Sequence, residues 1–213
     1  MKKFFILLLL FPLVTIYPQQ VGKLAEEKPP VEFPLRTWGL DFMFSEGGFG
    51  FGTFFRYNLT PTLTAYSDIS ISEAKDDREI EYIDYFGNTT VIGKKNRIFL
   101  LPLTFGLQQR IFYGALSENL RPYVNVGVGP SMVFTTPYER EFFNSFSKAH
   151  ARYTIGGYFG LGANFGLDKS NVVGINVRYY IVHFFGEGVE SLYFRPKKNL
   201  GGFYLTINLG FMY

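Results

Sequence analysis

The sequence predicts an all-β fold: an eight-stranded antiparallel up-and-down transmembrane β-barrel over residues 37–213. Side chains alternate apolar and polar through eight successive segments, none of which contains Lys. Apart from Ser45–Gly48, a short turn on the long-loop side, the connections between them alternate short and long, and an even number of strands brings both chain ends to the short-turn side.

The first segment, Thr37–Phe44, places Trp38, Leu40, Phe42 and Phe44 on one face and Gly39, Asp41 and Met43 on the other. After the turn Ser45–Gly48, Phe49–Asn58 sets Phe49, Phe51, Phe55 and Tyr57 against Gly50, Gly52, Phe54 and Arg56. Thr62–Glu73 is the weakest, with Leu63, Ala65, Ile69 and Ile71 opposite Tyr66 and Asp68. Arg97–Phe112 opposes Phe99, Leu101, Leu103, Phe105 and Leu107 to Thr104, Gly106, Gln108 and Arg110. Arg121–Thr135 opposes Val124, Val126, Val128, Met132 and Phe134 to Tyr123, Asn125, Gly127, Gly129 and Ser131. In Tyr153–Leu167, Ile155, Phe159, Leu161 and Phe165 face away from Tyr158, Gly160, Gly162 and Asn164. Val172–Phe185 separates Val173, Ile175, Val177 and Ile181 from Gly174, Asn176, Arg178 and Tyr180. Leu200–Tyr213 ends the series, with Phe203, Leu205, Ile207, Leu209 and Phe211 opposite Tyr204, Thr206, Asn208 and Gly210. A period of two sustained this way is the signature of strands with two different environments.

Composition decides which face looks outward. A soluble barrel shows water a face rich in Lys and Glu, whereas the polar face here carries Gly, Asn, Thr and Tyr with a few charges. The apolar faces hold charge only at Glu73 and Arg97, both at strand ends. Arg or Lys near a bilayer midplane costs about 2–4 kcal/mol, so this depletion predicts lipid outside and an enclosed polar interior. Trp38, Tyr57, Tyr113 and Tyr213 are expected to mark one interfacial girdle, and Phe44, Phe49, Phe134 and Tyr153 the other.

Residues 1–17 combine Lys2 and Lys3 with a 13-residue apolar stretch, Phe4–Ile16. That is short of the ~20 residues a spanning helix needs and reads as a signal peptide. Residues 18–36, with Pro18, Pro29, Pro30 and Pro34, read as an extended periplasmic linker.

With 25 Phe, 15 Tyr and 23 Gly, the chain has a strand-and-turn composition. The lack of Cys excludes disulfides and thiolate metal sites; neither a metal nor a cofactor is expected. Loss of Lys2 and Lys3 brings the formal charge of +3 close to neutral, which gives no footprint for nucleic acid. A mean hydropathy of +0.06 is too low for a helical membrane protein and suits a barrel.

The alternating segments and the ending FYLTINLGFMY resemble the eight-stranded outer-membrane barrels of the OmpX family and the membrane domain of OmpA. The resemblance covers Thr37 to Tyr213. It implies the outer membrane of a Gram-negative cell, an alternating C-terminal strand read by the barrel-assembly machinery, and an envelope-structural or surface-interaction role. It also permits a lipid-A-modifying enzyme or a small ligand-binding barrel as alternatives. A lipocalin-like soluble carrier is opposed by the Lys-free strands.

An eight-stranded barrel has room for side chains but not for an aqueous channel. Asp41, Arg56, Asp68, Arg110 and Arg178 face inward by parity and are expected to pair with one another, with Tyr66, Tyr123, Tyr158, Tyr180 and Tyr204 alongside. The inward glycines are expected to receive neighbouring Tyr rings. Lys94, Lys95 and Arg97, with Arg195, Lys197 and Lys198, stand where two strands leave long loops and form a candidate rim for lipopolysaccharide phosphates; the bland alternative is charged loop ends reaching water. His150, near Ser145 and Ser147, and His183, near Glu187 and Glu190, are the only candidates for a catalytic base. They form no recognisable dyad, so catalysis is not expected. The stretches 79–85 and 89–92 flank Gly87-Asn88 as a candidate hairpin, which would make ten strands if it entered the membrane.

Overall fold

The computed structural model describes residues 33–87, 89–116, 119–166 and 170–213. The expected signal peptide and all but the end of the linker lie outside the described residues.

Eight strands close into one antiparallel barrel: β1 (Arg36–Ser45), β2 (Gly48–Asn58), β3 (Leu63–Ala74), β6 (Asn96–Arg110), β7 (Leu120–Pro137), β8 (His150–Phe165), β9 (Asn171–His183) and β12 (Asn199–Met212). Each pairs with its neighbour in this order, and β1 closes on β12 from Thr37↔Met212 to Ser45↔Tyr204. Closure leaves no continuous sheet edge, the condition for strands to cross hydrocarbon. No described helix is long and apolar enough to cross a membrane.

The remaining elements lie in the long connections. β4 (Glu81–Ile83) and β5 (Thr89–Val91) pair as a hairpin separate from the barrel, so the wall has eight strands and not ten. A second hairpin, β10 (Val189–Leu192) with β11 (Arg195–Lys197), was not expected from the sequence. Its strands are only four and three residues long, too brief to show periodicity. A short helix, α1 (Phe142–Ser145), precedes β8.

The faces follow the parity. Val126 is 60% exposed on the outer wall while Arg178 is 2% exposed inside. Phe134 differs from its expected place in the girdle: it is buried, together with Phe99, under Phe142 and Phe146. The Phe99 and Phe134 rings stack at 5.0 Å, and α1 folds over them, because the loop brings its own aromatics to cover an outer-wall pair. β6 also stops at Arg110, short of the expected Phe112, whose φ of +56° takes the backbone out of the extended region.

Inward glycines accept large rings. A Cβ at Gly162 would lie 2.7 Å from the Tyr123 ring, one at Gly39 2.5 Å from Phe54, and one at Gly127 2.6 Å from both the Tyr66 hydroxyl and Thr104 Cγ2. Gly127→Ala therefore overpacks the interior at an expected cost of about 1–3 kcal/mol. Adding Tyr66→Phe should recover part of the loss. Urea unfolding in lipid vesicles measures both; an unchanged midpoint for Gly127→Ala would show that the ring is not seated there.

At the long-loop end the inward residues turn apolar. Met43, Ile98, Leu100, Val133, Val182 and Leu200 form a buried cluster with Phe184 and Val189. Below it Tyr66, Tyr158, Tyr180 and Tyr204 run across the interior, with successive ring centroids 6.1, 4.8 and 5.0 Å apart.

Candidate functional site

Two groups of side chains stand out: a charged cluster inside the barrel and a set of ion pairs joining the long loops. The inner cluster is built on inward positions of β1, β3 and β9, strands that are not neighbours in the wall and meet across the interior. Arg178 Nη2 donates to Asp41 Oδ2 at 2.9 Å, and Nη1 lies 3.5 Å from Asp68 Oδ2. Tyr158 donates its hydroxyl to the same Asp68 oxygen at 2.7 Å, and its ring lies under the Arg178 guanidinium at 4.9 Å. Asn208 Nδ2 donates to Asp41 Oδ1. All three charged side chains are buried, so each must draw on its neighbours in place of water.

Arg56 takes a different place, donating from Nη1 to Asn164 Oδ1 at 3.2 Å with its guanidinium 4.1 Å from the centre of the Phe54 ring. Arg110 does not join Asp41 or Asp68; at the short-turn end of β6 its guanidinium lies 4.9 Å from the centre of the Tyr113 ring. Arg121, not among the expected lumen charges, is also buried and inward, its guanidinium 4.0 Å from the Phe33 ring centre. Its parity with Tyr123 was the available signal. Asn176, inward by parity, donates to the Tyr123 hydroxyl at 3.1 Å.

The basic residues of the candidate rim are drawn into the loops. Lys94 pairs with Glu79 at 2.9 Å, Lys95 with Glu190, and Lys197 with Asp77 at 2.5 Å and Asp76 at 3.5 Å. Arg97 donates to the carbonyls of Pro137 and Arg140, both at 3.2 Å. Arg195 and Lys198 are exposed and have no acidic partner among the described residues. Backbone bonds continue the linkage: Lys95 N–H donates to Ser191 O at 2.6 Å and Tyr193 N–H to Gly93 O at 3.0 Å. Loops that are far apart in sequence thus form one tied unit over the barrel. Which acids pair with these residues cannot be read from the sequence, because loop partners follow no period.

Asp76 anchors the unit. Burial pushes its carboxyl up, but hydrogen bonds from the Arg78 side chain and backbone, with the nearby Lys197 charge, outweigh that and hold it below the usual carboxylate range. A folded-state value lowered in this way gives stability that is complete above the ordinary value of 3.8 and is lost only as pH falls through the lowered one. Carbon-13 NMR titration should therefore show Asp76 still ionised at pH 3.8; a midpoint at that ordinary value would mean the tie is not formed.

The candidate base residues have other engagements. His183 Nδ1 lies 2.6 Å from Asn199 Oδ1, and its ring packs edge-on to Phe185 at 5.3 Å. Ser145 and Ser147 donate to the carbonyls of Phe142 and Asn144 at 2.6 and 2.8 Å. His150 lines a cavity of about 790 Å³ at the barrel mouth, with Lys95, Arg152 and Lys198 facing Glu187 and Glu190. No group of three or more His, Asp or Glu among the described residues is arranged to hold a metal ion.

No protein-family model matches the sequence, and no curated protein matches it in sequence. Solved structures do match in shape. Neisserial surface protein A superposes with a TM-score of 0.52 at 11% identity, over 84% of this chain and 94% of that one. The N-terminal barrel domain of Pseudomonas aeruginosa OprF gives 0.48 at 12% identity, over 85% of this chain and all of that domain. Ail of Yersinia pestis gives 0.41 at 12% identity, over 84% of this chain and 96% of Ail. At such identities the likeness extends to the fold alone. With its closed antiparallel wall, apolar exterior and charged interior, the chain has the fold of the small eight-stranded outer-membrane β-barrels.

Proposed function

We propose that the chain works in the outer membrane as a non-catalytic barrel, its lumen closed by side chains and its tied loops turned outward for envelope structure or surface interaction. The observation that carries this reading is the Arg178–Asp41–Asp68 cluster beneath the row of tyrosines. A barrel of this size has no space for both that cluster and a water-filled channel.

Short turns then face the periplasm, both chain ends lie there, and the strand ending at Tyr213 is the segment offered to the barrel-assembly machinery. The outer leaflet meets the loop end. Lipopolysaccharide phosphates would engage Arg195 and Lys198 first, because Lys94, Lys95 and Lys197 already face carboxylates. Absence of catalysis is supported by Ser145 and Ser147, whose hydroxyls are given to backbone carbonyls and not to His150.

The test combines location with chemistry. In cells the chain should partition with the outer membrane, protease added outside should cut within 74–96 or 186–199, and planar bilayers holding the purified barrel should show no steady conductance. Mass spectra of lipid A should be the same with and without the gene. A detergent-independent periplasmic protein would sink the membrane reading, and a gene-dependent change in lipid A mass the non-catalytic one.

A further inference from the structure

The barrel wall is incomplete at its loop end, on one side. β1 follows β12 only as far as Ser45↔Tyr204, whereas β9 follows β12 on to Asn199↔His183. β2 follows β3 only to Gly50↔Ser72, whereas β6 continues to Ala74↔Ile98. Above the Ser45–Gly48 turn two strands are therefore missing, and β12 is separated from β3 by roughly 14 Å, three strand spacings. Among the described residues no strand pairs with the β1-facing side of Leu200–Phe203.

The turn itself leans toward β3. A Cβ on Gly47 would sit 2.7 Å from Glu73 O and 2.9 Å from Lys75 N, so the space that remains lies against β12. There Gly201 and Gly202 have φ values of +151° and +153°, a conformation only glycine adopts readily. In front of Gly202 a Cβ would meet nothing within 4 Å. A cavity of about 670 Å³ fills this gap, and across its top Lys197 reaches Asp76 and Asp77.

A sheet edge with unpaired N–H and C=O groups is complemented by another extended backbone; an acyl chain offers neither donors nor acceptors. Glycines at the edge allow that backbone to come close. The cavity wall carries the carboxylates of Glu46, Asp76, Asp77 and Glu79 against the ammonium groups of Lys75 and Lys197. Arg78 and Lys94 reach Asp76 and Glu79, Lys75 reaches Glu81 and Lys197 reaches Asp77, so the acid that stands exposed outside these pairs is Glu46, with Asp77 still 77% exposed beside its lysine. The geometry points to a docking site for an extended cationic peptide segment, added as a strand along Leu200–Phe203 of β12. This deepens the surface-interaction reading above by naming the chemistry of the partner.

The probe is a fluorescein-labelled peptide of alternating Lys and Thr, six residues long, added to the purified full chain in nonionic detergent and followed by fluorescence anisotropy. Two controls keep its length: one replaces Lys with Glu, and the other keeps Lys but carries N-methyl groups along one edge. The Lys peptide should bind about tenfold more tightly than either control, one decade in Kd. Glu46→Gln with Asp77→Asn should weaken it about three- to tenfold, the barrel's heat-dependent gel mobility confirming that the variant is folded. Equal binding of the N-methylated peptide would reduce the attraction to charge alone and overturn the proposal. So would failure of the Lys peptide to bind, or its displacement by a long-chain alcohol, which would make the gap an apolar portal. These outcomes concern purified protein, so they leave the fractionation result standing.

Discussion

Replacing Arg178 with Met should remove about 3–5 kcal/mol of stability, the largest loss expected from any single substitution in the barrel. The guanidinium sits between Asp41 and Asp68, and all three side chains are at most 2% exposed. Without it two carboxylates remain enclosed within reach of each other, with the neutral donors Asn208 and Tyr158 in place of a counter-charge. Their ionised forms lose their counter-charge, and the interior has no bulk water to replace it. Urea unfolding in lipid vesicles, followed through Trp38, the one tryptophan of the chain, gives the free energy. The triple replacement Arg178→Met, Asp41→Asn, Asp68→Asn should recover most of the loss, since it removes the charges together with their partner. If Arg178→Met alone shifted stability by no more than about 1 kcal/mol, the cluster would not be a desolvated ion pair.

Val126→Arg should cost about 2–4 kcal/mol, as expected for a cation placed near the middle of a lipid-facing strand. Val126 is an outward residue in the first half of β7, and its partners Leu107 and Phe159 on β6 and β8 are exposed apolar residues as well. The neighbouring inward position, Asn125, is buried among the interior polar groups. The same unfolding assay measures the change. The comparison that matters is with Tyr153→Arg at the loop end of β8, where the headgroup region should accept the charge at about 0–1 kcal/mol. Equal effects at the two depths would mean that the apolar wall does not face hydrocarbon.

The tied loops and the barrel respond to different conditions. The barrel depends on a buried charge cluster and ring-into-glycine packing, neither of which is reached by bulk ions. The loop unit rests on partly exposed pairs such as Lys95–Glu190 and Lys197–Asp77, which salt screens. Asp76 and Glu79 are enclosed among the loops, Asp76 tied to Arg78 by two side-chain hydrogen bonds and Glu79 paired with Lys94.

The strand pattern, the sidedness of the wall and the eight-strand count were legible in the sequence, because each depends on a period of two that a membrane enforces at every position. Asp41, Asp68 and Arg178 were legible as inward for the same reason, but not as one cluster. Their meeting depends on the stagger between β1, β3 and β9, which no single strand encodes. Arg110 shows the limit of parity: its side was right, but its height along the barrel places it beside Tyr113 and not in the Asp41–Asp68 cluster. What only the tertiary structure decided lies at the loop end: the covering of Phe134 by α1, the pairing of the basic residues with loop acids, the β10–β11 hairpin and the gap beside β12. Alternation fixes which way a strand residue points because the two solvents differ; loops bridge strands through contacts that are specific in three dimensions and aperiodic along the chain.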